Sequence, residues 1–270
     1  MKKLVKYLVL ALLIFASVAI WYALKWQPLF QSAKPRPAYS IIGHNPDTLL
    51  VAFIGDSWAG LHPSSRTDSA VSMEWTLRLS RPVRFVSCGK GGANSGDVYR
   101  LMFHQGLPID SFSSKILLQQ SPDYCIVTVG INDARQNVGT KFYCANYQLI
   151  LSHLLRCGIR PVIVEVPDVD LQCVFSLKSV KDRIGDAYKA FLAGVGLYNV
   201  AEYRQAWQQH LDNSDYKDSV LYVASKSWNP AGFRDTALYL GDRIHLNVEG
   251  YQRLDSCVLS EIEQHVNDNK

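Results

Sequence analysis

Four short strings in this 270-residue chain carry residue types that do chemistry together: Gly55-Asp56-Ser57, Gly89-Lys90-Gly91-Gly92, Gly130-Ile131-Asn132-Asp133 and Asp242-Arg243-Ile244-His245. A serine hydroxyl is a poor nucleophile until a base takes its proton. His245 is the candidate for that base, and it can return the proton to a leaving alcohol as general acid. Asp242, three residues earlier, is placed to hold the imidazole in the right tautomer and to stabilise its cation. Of the seven histidines, only His245 has an aspartate three residues before it. The set points to acyl transfer through Ser57.

Each string alone has a plainer reading. An Asp-Ser pair after an apolar run is commonly a helix N-cap or a turn, and Asn132-Asp133 makes an ordinary turn. The stretch from Gly89 to Gly96 suits a Gly-rich connection or a phosphate cradle. It has neither G-x-x-x-x-G-K-[ST] nor a completed G-x-G-x-x-G, because Asn94 occupies the last place. A fixed three-residue string turns up by chance in about 3% of chains this long. Finding G-D-S and G-x-N-D in one chain therefore weighs against coincidence.

Other hydrolase signatures are missing. The G-x-S-x-G elbow fails because Ser57 is followed by Trp58 and Ala59, with Gly60 one place late. There is no H-E-x-x-H, and the remaining histidines are scattered without ligand spacing. No metal or cofactor is expected.

The elements that must position these strings can be read from the apolar pattern. Runs rich in β-branched residues predict strands at Leu49–Ile54, Pro82–Cys88, Asp123–Val129, Arg160–Val166 and, less sharply, Ser219–Ala224. Helical stripes fit Asp68–Leu79, Tyr143–Cys157, Lys181–Leu192, Val200–Leu211 and Val248–Val266. The last places Tyr251, Leu254, Val258 and Ile262 on one face. Alternating strands and helices imply right-handed crossovers and a three-layer α/β/α sandwich around a mostly parallel five-stranded sheet. Ligands in such sheets sit beyond the carboxyl ends of the strands. The first three strings follow strands, and Asp242–His245 precedes the closing helix.

On these blocks the chain resembles the SGNH (GDSL-type) hydrolases, a family named for Ser, Gly, Asn and His in four separate blocks. The resemblance spans about residues 48 to 265 and extends to His245-Leu246-Asn247-Val248-Glu249-Gly250-Tyr251. It implies a flavodoxin-like fold and esterase activity. It also implies an oxyanion hole made by the Ser57 and Gly92 backbone N–H groups and the Asn132 side-chain amide. Gly92 is chosen because Gly92-Ala93-Asn94-Ser95 matches the second block best, with Gly89 and Gly91 as competitors. Cys88 stands where many relatives have Asn.

The net charge of +4 belongs to the amino end. Six basic residues and no acid precede residue 40, which leaves 22 basic against 24 acidic residues, a net −2. That balance lacks the basic face of a nucleic-acid binder. Tyr7 to Leu24 run without a charge behind Lys2, Lys3 and Lys6, a length near the minimum for crossing a bilayer. Trp21, Tyr22 and Trp26 suit an interfacial belt. The reading is an uncleaved signal anchor over 1–26, a Pro-containing linker over 27–47 and an exported catalytic domain over 48–270, with Ser17-Val18-Ala19 as the alternative cleavage site of a secreted form. Six cysteines in an exported chain permit disulfides, though no C-x-x-C pair occurs and the pairing is not legible.

Trp58, His62 and the aromatic stretch Ser225–Leu240 read either as a substrate mouth or as local packing. Exported, anchored members of the resembled family point to O-acetyl removal from a cell-envelope or extracellular glycan. A lysophospholipase or thioesterase, an acyltransferase, and an anchored binding protein without activity are the alternatives.

Overall fold

The computed structural model describes residues 2–26, 32–37, 39–43, 45–104 and 112–268. Five strands form one all-parallel sheet: β1 (Leu49–Gly55), β2 (Val83–Gly89), β3 (Tyr124–Thr128), β4 (Arg160–Val164) and β5 (Leu221–Val223), in the order β2-β1-β3-β4-β5. Every residue of β1 and β3 is buried, as a sheet covered on both faces requires. The chain order reverses at β1, between β2 and β3, and a ligand crevice is expected there, outside the carboxyl ends.

Among the described residues there are twelve helices, and those after β1 connect and cover the sheet. An amino-terminal helix α1 (Lys2–Trp26) precedes it, and α2 (Ser57–Ser65) and α3 (Asp68–Leu79) lie between β1 and β2. Next come α4 (Ser95–Leu101) and α5 (Lys115–Gln119), then α6 (Ile131–Gln136) and α7 (Thr140–Arg156) after β3. Between β4 and β5 run α8 (Leu171–Ser176), α9 (Val180–Ala193) and α10 (Val200–Asp212), and α11 (Ser225–Trp228) and α12 (Val248–Asp268) follow β5. The stripe predicted on α12 is its core face, with Tyr251, Leu254, Val258 and Ile262 no more than 1% exposed.

Most predicted elements end within three residues of the observed ones. The fifth strand is shorter than Ser219–Ala224 because Lys217–Ser219 turns as a 3-10 helix, and the fourth stops at Val164. Ser225–Leu240 holds α11 and two 3-10 turns, Gly232–Arg234 and Thr236–Leu238.

Of the linker expected over 27–47, residues 27–31 (with Pro28), 38 and 44 lie outside the described residues. The described part is strapped to the domain. Ala33 N donates to Asn146 Oδ1 at 2.7 Å, Arg36 N to Tyr99 Oη at 2.9 Å and Ile42 N to Gln119 O at 2.6 Å. Cys125, Cys144, Cys157, Cys173 and Cys257 carry free thiols. Cys125, wholly buried in β3, acts as a small hydrophobe.

Candidate active site

Ser57 is the first residue of α2, immediately beyond the carboxyl end of β1. Asp56 caps the helix, its Oδ1 accepting from Trp58 N at 3.0 Å. The first N–H groups of a helix have no intrahelical partner and face developing negative charge. Ser57 therefore presents a hydroxyl and an unspent N–H together.

His245 arrives from a tight loop before α12. Leu240 N donates to His245 O at 2.7 Å, and Tyr239 and Leu246 form an antiparallel bridge that pins the loop shut. The turn takes Arg243 into the left-handed region at φ 57°. That conformation folds Asp242 back over its own backbone, where Oδ1 accepts from both Ile244 N and His245 N at 2.9 Å. Asp242 Oδ2 lies 2.5 Å from His245 Nδ1, and His245 Nε2 lies 3.0 Å from Ser57 Oγ.

Burial pushes the Asp242 carboxyl up, but the N–H groups of His245 and Ile244 outweigh it and hold the carboxyl below the usual range. An ionised Asp242 only accepts, so the proton on the ring belongs to Nδ1 and Nε2 is left as acceptor for the Ser57 hydroxyl. The site is open to solvent, with 29% of the His245 side chain and 45% of the Asp242 side chain exposed.

Asn132 lies in the first turn of α6, past the carboxyl end of β3. Its Nδ2 approaches Asp56 Oδ2 at 3.5 Å, so the helix cap of α2 also orients the amide. Gly92 sits on the turn after β2 with φ +78°. That turn is tied down twice: Lys90 N donates to Gly55 O at 3.2 Å, and Gln136 Nε2 of α6 donates to Gly92 O at 2.9 Å. The same Gln136 accepts from Asn94 Nδ2 at 2.9 Å. One short helix, α6, thus carries Asn132 and anchors the Gly92 turn.

Of the two readings open for Trp58 and His62, substrate mouth or local packing, the structure has the second. Trp58 and His62 point inward and do not line a mouth. Trp58 is buried, its Nε1 donates to Ile244 O at 3.0 Å, its ring meets Trp228 edge-on, and its carbonyl accepts from Tyr251 Oη at 2.8 Å. It clamps the His245 loop to the start of α2. His62, also buried, pairs with Asp255 of α12 at 3.2 Å. The signal for both was adjacency to Ser57 on one helix, legible only once α2 is known to begin there.

Asp133, fully buried, accepts from Ser95 N at 2.9 Å and Ser95 Oγ at 2.6 Å, joining α6 to α4. Burial pushes the Asp56 and Asp133 carboxyls up to about 7. An unfolded carboxyl titrates near 3.8, so between that pH and about 7 the native state holds more protons than the unfolded chain. Each therefore favours folding most at low pH and loses that contribution as pH rises toward 7. Asparagine at 133 can accept from Ser95 N and donate to Ser95 Oγ without a charge. The Asp133→Asn variant is expected to lose less stability between about pH 4 and 7 than the native chain, by at most about 4 kcal/mol, in urea denaturation series.

Comparison with known proteins agrees with the fold. A family model for GDSL-like lipases/acylhydrolases matches residues 53–253. A lipase/acylhydrolase from Enterococcus faecalis superposes with TM-score 0.56 at 15% identity, covering 80% of this chain and 96% of its own. An acetylxylan esterase from Geobacillus stearothermophilus gives 0.53 at 16%, covering 82% and 95%. A psychrotrophic esterase from Pseudoalteromonas sp. gives 0.53 at 11%, covering 81% and 99%. No curated protein matches the sequence. With the parallel sheet, the strand-end blocks and the family match over residues 53–253, this chain belongs to the GDSL-like lipase/acylhydrolase family and is an ester-bond hydrolase.

Proposed function

We propose that the chain is a serine esterase that removes short acyl groups, O-acetyl foremost, from a cell-envelope or extracellular glycan. The observation that carries this reading is the continuous relay Ser57 Oγ, His245 Nε2, His245 Nδ1, Asp242 Oδ2 at 3.0 and 2.5 Å. In the first half-reaction the Ser57 proton passes to His245 Nε2 as Oγ bonds to the ester carbonyl carbon. The oxyanion is met by the Ser57 and Gly92 N–H groups and Asn132 Nδ2. The C–O bond to the alcohol breaks and the leaving oxygen takes the proton from His245. Water then repeats the sequence, giving up a proton to His245, releasing the carboxylic acid and restoring Ser57.

The hollow lined by Asp56, Trp58, Thr128, Val129, Ile131, Val164 and Val166, behind the start of α2, has no room for a water molecule. The fold accommodates such chemistry in the Geobacillus acetylxylan esterase. Residues Lys3–Lys25 of α1, with mean hydropathy 2.3, form a helix long and apolar enough to cross a membrane. On this reading α1 anchors an exported domain over 48–270.

The test is a series of p-nitrophenyl esters of increasing acyl length, hydrolysed by the full chain in mild detergent. Rates that fall with acyl length, and acetate release from acetylated xylan or peptidoglycan fragments, are the expected results. Rates that rise with length would move the substrate to lysophospholipids or long-chain thioesters and overturn the short-acyl assignment.

A further inference from the structure

Helix α9 is packed on one side only. Its outward face carries Val180, Ile184, Ala187 and Phe191 at i, i+4, i+7 and i+11, which fall within one narrow stripe of a helix. Soluble helices turn such a stripe to the core. Here it faces out: Val180 is 69%, Ile184 61% and Phe191 76% exposed, and Leu177, just before the helix, is 83% exposed. The buried side is set by Gly185, Asp186 and Ala190, with Asp186 bound to Lys178 and Lys189 at 2.6 Å.

Two further observations say what covers the stripe. The first is α1, which touches the flank of α9 without hiding it: Tyr188 Oη donates to Ala19 O at 3.3 Å. Ala19 lies about two helical turns inside the carboxyl end of α1, so a bilayer holding α1 brings its headgroup and upper acyl layers level with α9. The second is charge. Lys25, Lys178, Lys181 and Lys189 surround a shallow hollow of about 230 Å³ between α1 and α9, against only Asp182 and Asp186. An apolar helix face bordered by lysines is the pattern of a helix lying in the plane of an anionic interface.

We propose that the outer face of α9, with Leu177, docks on the surface of a bilayer containing anionic phospholipid, beside the point where α1 enters it. The consequence for the enzyme is orientation. The segment leading into α8 and α9 borders the site, since Asp170 N donates to Arg243 O at 3.4 Å next to Asp242, and the end of α9 lies against the turn at Gly139. Docking therefore holds the carboxyl-end rim of the sheet at a fixed attitude to the membrane, where a linker alone would let it swivel.

The test uses the full chain in vesicles of phosphatidylcholine and phosphatidylglycerol. The photoreactive residue p-benzoylphenylalanine replaces Ile184, Phe191 or, as reference, the exposed Gln252 on α12. On illumination, Ile184 and Phe191 positions are expected to give several-fold more lipid adduct than the Gln252 position, and less when phosphatidylglycerol is left out. Yields equal to that at Gln252, or crosslinks to a second copy of the chain in place of lipid, would overturn the docking surface. Adducts indifferent to phosphatidylglycerol would overturn the part given to the lysines. Because α1 keeps every variant on the vesicle, loss of the anchor and loss of the docking face are read separately, the first by flotation of the vesicles.

Discussion

Ser57→Ala is expected to lower turnover of p-nitrophenyl acetate by about 10⁵- to 10⁶-fold while leaving the denaturation midpoint unchanged. The two halves of this result come from different atoms. Turnover falls because the attacking oxygen is gone and the relay through His245 ends on a methyl group. Stability is kept because the helix cap is the Asp56 side chain, and Ser57 enters α2 through its backbone alone. The partly exposed hydroxyl contributes little to the core. His245→Ala should cost about as much, and the double variant no more than either single one, since the two side chains act as one unit. Steady-state rates for the three variants test this directly. A Ser57→Ala loss smaller than tenfold, or additive losses in the double variant, would remove Ser57 from the nucleophile's role.

The second large effect separates Gly92, preferred on the second block, from its competitors Gly89 and Gly91. A Cβ on Gly89 would stand 2.4 Å from Asp56 O and 2.5 Å from Gly60 N. Both are backbone atoms, so no side chain can swing away, and the end of β2 must part from the start of α2. Gly89→Ala is expected to destabilise the fold by about 3 kcal/mol and to lower turnover with it, because Ser57 moves. At Gly91 a Cβ meets nothing within 4 Å, and alanine should change stability by no more than about 0.5 kcal/mol. At Gly92 there is room, but φ +78° strains any L residue, at about 1–2 kcal/mol. Urea denaturation and turnover of the three variants should thus diverge. A turnover collapse at Gly91→Ala with stability intact would place Gly91, rather than Gly92, against the substrate, since alanine keeps the N–H and adds only a Cβ.

How much of this was legible depended on the range of the interactions. The strand Leu49–Ile54 could be read because burial on both faces demands an unbroken apolar run, and local composition suffices to show it. The α12 stripe was legible for the same reason. Helix α2 was not, since Gly60 and Pro63 within nine residues look like a turn; the Asp56 cap and the close seat of Gly60 against Gly89 make it a helix. Without its phase, Trp58 could not be pointed inward. The Asp56–Asn132 contact spans 76 residues and the Trp58–Ile244 contact 186, distances at which no periodicity carries information. The motif strings survived because their chemistry fixes residue type at each site. The lysine-edged face of α9 was hidden by its very amphipathicity, which reads as a core helix until one sees which way it turns.

The clamp between Trp58 and the His245 loop also sets when in the life of the molecule chemistry begins. Ser57 and its base are 188 residues apart, and the loop bearing the base is held by Tyr239, Leu246 and Tyr251. A chain growing from its amino end has all five strands once Val223 has emerged, yet holds Ser57 without His245, its proposed base. Only when the segment through α12 folds back onto α2 does His245 reach Ser57. Closing so long a loop is entropically slow compared with local helix formation. On the proposed Ser57–His245 assignment, activity waits on α12, whose packing onto α2 brings His245 to Ser57.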